Sequence, residues 1–248
     1  MLDINTILFA ITGGILPALI WLFFWLKEDS SHPEPKKIIF LTFVFGMLSV
    51  PLALGLQLFI NKFIFGDISI EGPLILSGVL IIFCWALIEE TCKYLAAIHG
   101  GLKRKEHDEP LDDMIYMITA ALGFSALENT LFLFAPLLSG DTELAIVTSN
   151  FRFIGATLLH VSTAAIIGAF RAYSHFKLDS VQKRYTFSGF VIAVALHVAF
   201  NLFIINSVES TFIAFSGIWI VIIIIILIFE HLKNIHVEEI KNNSDFKK

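Results

Sequence analysis

The sequence predicts an all-α protein, a polytopic transmembrane helix bundle of about seven spans with its N-terminus outside and its C-terminus in the cytoplasm. Three observations support this prediction: the composition, the apolar runs, and the distribution of Lys and Arg. Of the 248 residues, 56% are hydrophobic and 16% are charged, and the mean hydropathy is +0.80. A water-soluble domain of this size cannot bury so much apolar surface, so the composition favours lipid as the solvent.

Each predicted span is an apolar run that is long enough to cross the bilayer core, which takes about 20 helical residues. The seven runs are Ile4–Leu26, Ile38–Ile60, Leu74–His99, Ile115–Leu138, Phe151–Ala172, Tyr185–Ile205 and Thr211–Phe229. They leave no stretch for a separate soluble domain. We therefore predict one transmembrane domain over residues 1–232 and a polar cytoplasmic tail over residues 233–248.

The basic residues fix the predicted orientation, because cytoplasmic loops of membrane proteins retain Lys and Arg during insertion. Fourteen of the 17 basic residues lie on one side, in the loops after spans one, three and five and in the tail. Lys62 lies in an opposite loop, and Lys93 and Arg152 lie inside spans. This alternation requires an odd number of spans. No stripe of basic residues indicates nucleic-acid binding, so we expect the partners of this protein to lie in the lipid bilayer.

Span three contains an unusual group of charges, Glu89, Glu90 and Lys93. Each isolated charge at mid-bilayer costs roughly 2.5 to 3.5 kcal/mol on insertion scales, so the group needs partners or a wet cavity. Lys93 is four residues beyond Glu89 and three beyond Glu90, and can reach either carboxylate. One negative charge is then left over, which suits a general base. A purely structural ion pair is the other interpretation.

Span four carries a second polar group, Glu128 and Asn129, after the small residues Gly123 and Ser125. Small residues permit close helix contact, which would let Glu128 approach span three. Taken alone, the Glu-Asn pair could equally be a polar clasp between helices.

Spans five and six add His160 and the pair His197 and Asn201, which are one helical turn apart. Counting about 1.5 Å per residue from the outer ends of the spans, Glu89, Glu128 and the two histidines lie about 12 to 22 Å deep. These depths are compatible with one shared cavity. A single intramembrane histidine is more often a packing contact, but four spans contribute polar groups here.

These residues resemble the PrsW family, within the larger group of CAAX prenyl endopeptidases and bacteriocin-processing membrane proteins. The matching motifs are Glu89-Glu90-x-x-Lys93, Phe124-x-x-x-Glu128-Asn129, His160, and His197-x-x-x-Asn201. Each motif is weak alone, but their order and spacing are fairly specific. Asp113 departs from the pattern, because a glycine is expected there.

The resemblance implies a glutamate-dependent intramembrane endopeptidase in a bacterial plasma membrane, which needs no cofactor and cleaves membrane-anchored proteins such as anti-sigma factors. Glu89 or Glu90 would take a proton from a water molecule that Glu128 or His160 also holds. The remaining expected roles are oxyanion donors at His197 and Asn201, charge tuning at Lys93, and support at Asn129.

Three alternatives stay open from the sequence. A zinc metallopeptidase could use ligands drawn from Glu90, Glu128, His160 and His197, although no His-Glu-x-x-His helix is present. A proton-coupled transporter could use the same groups as a relay, but the halves of the chain show no repeat. A non-catalytic binding partner could hold a peptide without hydrolysing it.

Overall fold

The computed structural model describes residues 4–29, 32–66, 76–206 and 208–245. Within these ranges the regular structure is entirely helical, as predicted for an all-α protein. The helices are α1 (Ile4–Glu28), α2 (Lys36–Phe63), α3 (Leu76–Ala97), α4 (Pro110–Leu138), α5 (Thr142–Phe151), α6 (Thr157–Ala172), α7 (Asp179–Asn206) and α8 (Val208–Asp245). Single π-helical turns extend α3 over Ile98–Leu102 and join α5 to α6 over Arg152–Ala156.

Six helical segments are long and apolar enough to cross a membrane: α1, α2, α4, the continuous α5–α6 unit, α7 and α8. The remaining long helix, α3, has 22 residues and contains Glu89, Glu90 and Lys93. These segments correspond to the seven predicted spans. The prediction of a polytopic helix bundle is therefore confirmed, while the orientation of the termini stays a prediction.

Helix α4 is the central helix of the bundle and packs against α1, α2 and α6. Every residue from Pro110 to Ala126 on this helix is buried. Large apolar side chains are exposed mainly on α1, α2, α7 and α8, which form the outer surface. In a bilayer this surface contacts lipid, so the same residue types serve both the core and the exterior.

The start of α4 lies five residues before the predicted start of span four. Glu109 and Asp112 form a capping box, in which each side chain accepts a hydrogen bond from the other's backbone N–H, and Pro110 occupies the first turn. A capping box satisfies two N–H groups that have no partner inside the helix. The apolar periodicity begins only later, so it could not show this polar first turn.

The last helix is longer than the predicted span and contacts the first helix. Helix α8 continues to Asp245, well beyond the predicted end of span seven at Phe229. Lys233 of α8 bonds Glu28 at the end of α1, with Nζ 3.1 Å from Oε2. The predicted cytoplasmic location of the segment after Lys233 stays a prediction.

Candidate active site

A fully buried ion pair on α3 forms the centre of the site. Lys93 Nζ lies 2.6 Å from Glu90 Oε1, and both side chains are completely buried. A spacing of three residues puts them on the same helix face. The sequence left open which glutamate Lys93 would bind, and the structure selects Glu90. A buried charge without a partner is costly, so each member of this pair requires the other.

His197 of α7 joins this pair and faces Glu89 with its other ring nitrogen. Its Nδ1 lies 2.6 Å from Glu90 Oε1, and its Nε2 lies 3.5 Å from Glu89 Oε2. An ionised carboxylate only accepts hydrogen bonds, so we assign the ring proton to Nδ1. In this tautomer Nε2 presents a lone pair toward Glu89.

Glu89 is oriented from the opposite side by α2. The side chain of Gln57 donates a hydrogen bond from Nε2 to Glu89 Oε1 at 2.8 Å. One carboxylate oxygen is therefore fixed by Gln57, and the other faces His197. Gln57 was not identified from the sequence, although a glutamine inside a predicted span is itself a signal.

His160 of α6 links the ion pair to the polar groups of α4. Lys93 Nζ lies 3.3 Å from His160 Nδ1 and donates to Thr163 Oγ1 at 3.1 Å. Because an ammonium group only donates, His160 Nδ1 accepts, which leaves the ring proton on Nε2. That Nε2 lies 3.0 Å from Glu128 Oε2. The rings of His160 and His197 meet edge to face, with centroids 5.5 Å apart.

Arg152 anchors the α4 side of the site. Its guanidinium donates to Glu128 Oε2 and to Asn129 Oδ1, and it stacks on the ring of Phe132 at 3.9 Å. The amide of Asn129 donates in turn to Thr157 Oγ1 at 3.0 Å. Arg152 begins the π-helical turn between α5 and α6, an irregularity often found at functional sites. The sequence placed this arginine inside a span and left its role open between an interfacial anchor and a substrate contact.

We predicted from Gly123 that Glu128 would approach span three directly, but Gly123 contacts a different helix. Gly123 lies against the backbone of Phe43 on α2, and Ser125 bonds Thr157 on α6 at 3.1 Å. Glu128 connects to α3 through His160 and Lys93.

The structure brings five of the six predicted catalytic residues into one buried cluster: Glu89, Glu90, Glu128, His160 and His197. Predicted supporting residues Lys93 and Asn129 belong to it as well. Asn201 is half-buried one turn beyond His197, and within the described residues it makes no hydrogen bond to the cluster.

The cluster also contains a group of ligand atoms that suits a metal ion. Glu89, His160 and His197 each offer one such atom, all within 4.8 Å of one another. Two histidines and one carboxylate form a common catalytic zinc set. Glu90 is less suited than Glu89, because its Oε1 already contacts both Lys93 and His197. The cluster contains three carboxylates and two cations. When both histidines are neutral, it therefore carries one excess negative charge.

A comparison with known families decides the relationship of this chain. The sequence model described as "PrsW family intramembrane metalloprotease" matches residues 34–229. The chain belongs to the PrsW family.

Three curated relatives, each named Protease PrsW, agree with this assignment. The protein of Geobacillus kaustophilus is 28% identical over 190 residues, covering 75% of this chain and 76% of the relative. The Clostridioides difficile protein is 28% identical over 192 residues, 76% of each chain. The Bacillus subtilis protein is 24% identical over 200 residues, 81% of this chain and 84% of the relative. No solved structure matches the chain.

Membership of the PrsW family makes this chain a membrane peptidase and a multi-pass bacterial membrane protein. The family match spans α2 to most of α8, and thus contains every residue of the polar cluster. A buried cluster of acids, imidazoles and cations within a peptidase is the candidate active site.

Proposed function

We propose that this PrsW-family chain is a glutamate-dependent intramembrane endopeptidase in which Glu89 is the general base. One observation carries the proposal: Glu89 Oε2 and the lone pair of His197 Nε2 face each other across 3.5 Å inside the helix bundle. One water molecule bridging these two acceptors would donate a hydrogen bond to each, which leaves its own lone pairs free to attack a peptide carbonyl. Positioning of a water molecule beside a carboxylate is the geometry that general base catalysis requires.

The proposed reaction transfers one proton and exchanges one bond. Glu89 takes a proton from the water molecule while the water oxygen bonds the carbonyl carbon. The protonated Glu89 then gives this proton to the nitrogen of the breaking C–N bond. The products are a carboxyl and an amine terminus. Asn201 would donate a hydrogen bond to the oxyanion, because its amide is not engaged by the cluster.

Glu90 and Lys93 act as positioning residues in this proposal. Glu90 holds the His197 ring by its Nδ1 at 2.6 Å, and Lys93 holds Glu90. The second arm, His160 with Glu128 and Arg152, adds a guanidinium cation that can stabilise developing negative charge. Preorganised donors in a water-poor site are among the largest contributions to catalysis.

A metallopeptidase is the second candidate, favoured by the Glu89, His160 and His197 ligand group and by the printed family description. The three residues fit a divalent ion in donor type and spacing. A bound zinc ion would supply an activated water molecule and polarise the substrate carbonyl. Both nitrogens of His160 already contact Lys93 and Glu128, so metal binding would have to displace one of these contacts.

The proposed substrates are membrane-anchored regulatory proteins such as anti-sigma factors, the class that the family resemblance implies. The position of the cluster within apolar helices supports a scissile bond in or near a membrane-spanning segment. The bond itself must leave its helix to present a carbonyl, since helical carbonyls are hydrogen-bonded internally.

The decisive experiment compares membrane-protein fragments from cells that carry the wild type, Glu89→Gln or Thr91→Val. Thr91 lies on the same helix and is exposed, and its hydroxyl donates only to the backbone carbonyl of Leu87, one turn earlier. Its variant is therefore a matched control. We expect specific fragments in the wild type and Thr91→Val cells and none with Glu89→Gln. Equal fragments in all three would overturn the proposal.

Metal dependence is tested on the purified protein. Activity that persists after a strong chelator removes all metal supports the glutamate-dependent mechanism. Activity that is lost with the chelator and restored by Zn²⁺ supports the metallopeptidase, provided that the double variant Glu89→Gln, His197→Ala binds one zinc equivalent fewer than the wild type.

A further inference from the structure

A second cluster of histidine and carboxylate groups lies at the far end of α4. His107, in the connection between α3 and α4, places Nε2 3.0 Å from Asp113 Oδ1. His175, just after α6, places Nδ1 2.8 Å from Asp113 Oδ2. The two imidazole rings meet edge to face with centroids 4.9 Å apart. Three separate chain segments thus converge on one carboxylate.

This cluster is separate from the active site. Asp113 and Glu128 are fifteen residues apart on the same helix, which corresponds to about 22 Å at 1.5 Å per residue. The cluster is also well shielded: the Asp113 side chain is fully buried, and each histidine side chain is 10% exposed. The proposed peptidase mechanism uses none of these groups.

The donor set and its spacing suit a divalent transition metal. His107, Asp113 and His175 each offer a ligand atom, and these atoms lie within 4.8 Å of one another. Ligand atoms of tetrahedral zinc lie about 3.3 Å apart, given metal–ligand distances near 2.0 Å. The observed distance of 2.8 Å between His175 Nδ1 and Asp113 Oδ2 therefore needs to open by only a few tenths of an ångström.

His107 supplies the observation that points to a ligand. Its Nε2 is buried and, despite the 3.0 Å distance to Asp113, forms no hydrogen bond within the described residues. Buried polar atoms are nearly always satisfied, and an exception calls for a missing ion or water. A metal between the imidazoles and the carboxylate would satisfy this nitrogen.

Arg171 has the position of an outer partner that orients the carboxylate. Its Nε donates to Asp113 Oδ1 at 2.8 Å, and its Nη1 to the hydroxyl of Tyr94 at 3.4 Å. Metal-binding carboxylates are commonly held in this way by a second hydrogen-bonding group. The oxygen on the His175 side, Oδ2, remains available to a metal.

We propose that His107, Asp113 and His175 form a structural site for Zn²⁺ or a similar first-row divalent ion. The metal ties the α3–α4 connection to the ends of α4 and α6. These three helices carry Glu89, Glu128 and His160, so the site holds their ends at a fixed spacing while the chemistry takes place elsewhere. A metal ion that binds the folded state and not the unfolded chain adds its binding free energy to folding stability.

The test measures Zn²⁺ binding by the metal-stripped, full-length protein in detergent, by calorimetry and by elemental analysis. The test variant is His107→Ala, His175→Ala. The matched control is His99→Ala, because His99 is exposed on the preceding turn and bonds only the backbone of Leu95. A second control, Glu89→Gln, His197→Ala, removes ligands from the active-site cluster instead.

We expect the test variant to lose one zinc equivalent that both controls retain, and zinc to raise the unfolding temperature of the wild type but not of the test variant. Equal zinc binding in the wild type and the test variant would overturn the proposal. If the test variant does not fold, X-ray absorption of the zinc-loaded Glu89→Gln, His197→Ala protein decides. Two histidine ligands there support the site, and no bound zinc, or zinc without histidine ligands, contradicts it.

Discussion

Lys93 is completely buried among a carboxylate, an imidazole nitrogen and a hydroxyl, so its charge depends on Glu90. We expect Glu90→Gln to lower the free energy of unfolding by roughly 3 to 5 kcal/mol, because a buried ammonium then lacks its counter-charge. Glu89→Gln should cost much less, since glutamine can keep the hydrogen bond from Gln57. Denaturant unfolding of both variants in detergent micelles measures this difference.

The same pair provides its own control. Adding Lys93→Met to Glu90→Gln removes the orphaned charge and should restore part of the lost stability, because apolar replacements of buried ion pairs are often neutral. Activity should stay low, since His197 has lost its anchor. A double variant that is no more stable than Glu90→Gln would contradict this view of the pair.

Asp29, just beyond the end of α1, carries a buried carboxyl with an unusual titration. Burial, together with the negative charges of Glu34 and Glu109, raises the pKa of Asp29 to about 7, although the positive charge of Lys233 opposes the shift. The folded protein thus keeps this proton up to about pH 7, whereas the unfolded chain loses it near pH 4. The contribution of Asp29 to stability therefore falls as the pH rises between these values.

Replacing Asp29 with Asn removes this titration. We expect Asp29→Asn to unfold at a higher temperature than the wild type at pH 8, with little difference at pH 4. The control is Asp108→Asn, which alters an exposed carboxyl near the same end of the bundle. Thermal unfolding in detergent at both pH values is the measurement. A variant that is less stable than the wild type at pH 8 would show that the ionised carboxylate is stabilising.

At the scale of the helices, α2 and α4 approach closely through glycine. A Cβ atom at Gly46 would overlap the carbonyl oxygen of Ala120, whereas one at Gly55, on the same helix, would meet nothing within 4 Å. We expect Gly46→Ala to lower the free energy of unfolding by about 1 to 3 kcal/mol, the usual cost of overpacking. Gly55→Ala should be neutral or stabilising, because alanine favours helix. The unfolding midpoints of the two variants, compared with wild type, test this contact.

This contact also bears on the site, because α2 supplies Gln57. If Gly46→Ala displaces α2, the hydrogen bond to Glu89 weakens and activity falls along with stability. Loss of stability in Gly55→Ala equal to that in Gly46→Ala would show that close packing is not the cause.

Helices could be predicted from the sequence because lipid imposes their length and apolar character. The predicted helix boundaries were wrong where polar residues extend a helix, as with the capping box at Glu109 and the start of α5 at Thr142. The helix neighbours could not be predicted either. Gly123 indicated close packing, but only the fold shows that its partner is α2.

At the scale of the molecule, the sequence predicted that polar residues of four spans share a depth, and most of them meet. It could not assign their pairing, because spacing on one helix says nothing about which neighbour faces it. Lys93 was expected near either glutamate, and the role of Arg152 was left open. The cluster of His107, Asp113 and His175 was missed because its members lie at the ends of helices, where charged residues are ordinary.

The orientation of the whole bundle remains a prediction from the positive residues. It places Lys103, after α3, in the cytoplasm and Ser139, after α4, outside, and both are exposed. In a background with Cys84 and Cys92 replaced, a membrane-impermeant maleimide on intact cells should label Ser139→Cys and not Lys103→Cys. Permeabilised cells, in which both should react, provide the control.

The reverse labelling pattern would mean that the basic loops lie outside, against the strong retention of Lys and Arg in the cytoplasm. It would also move the His107, Asp113 and His175 cluster to the outer surface, since His107 follows Lys103 in the same connection. The proposed metal site would then draw its zinc from the cell exterior. Orientation therefore determines which pool of metal fills the site.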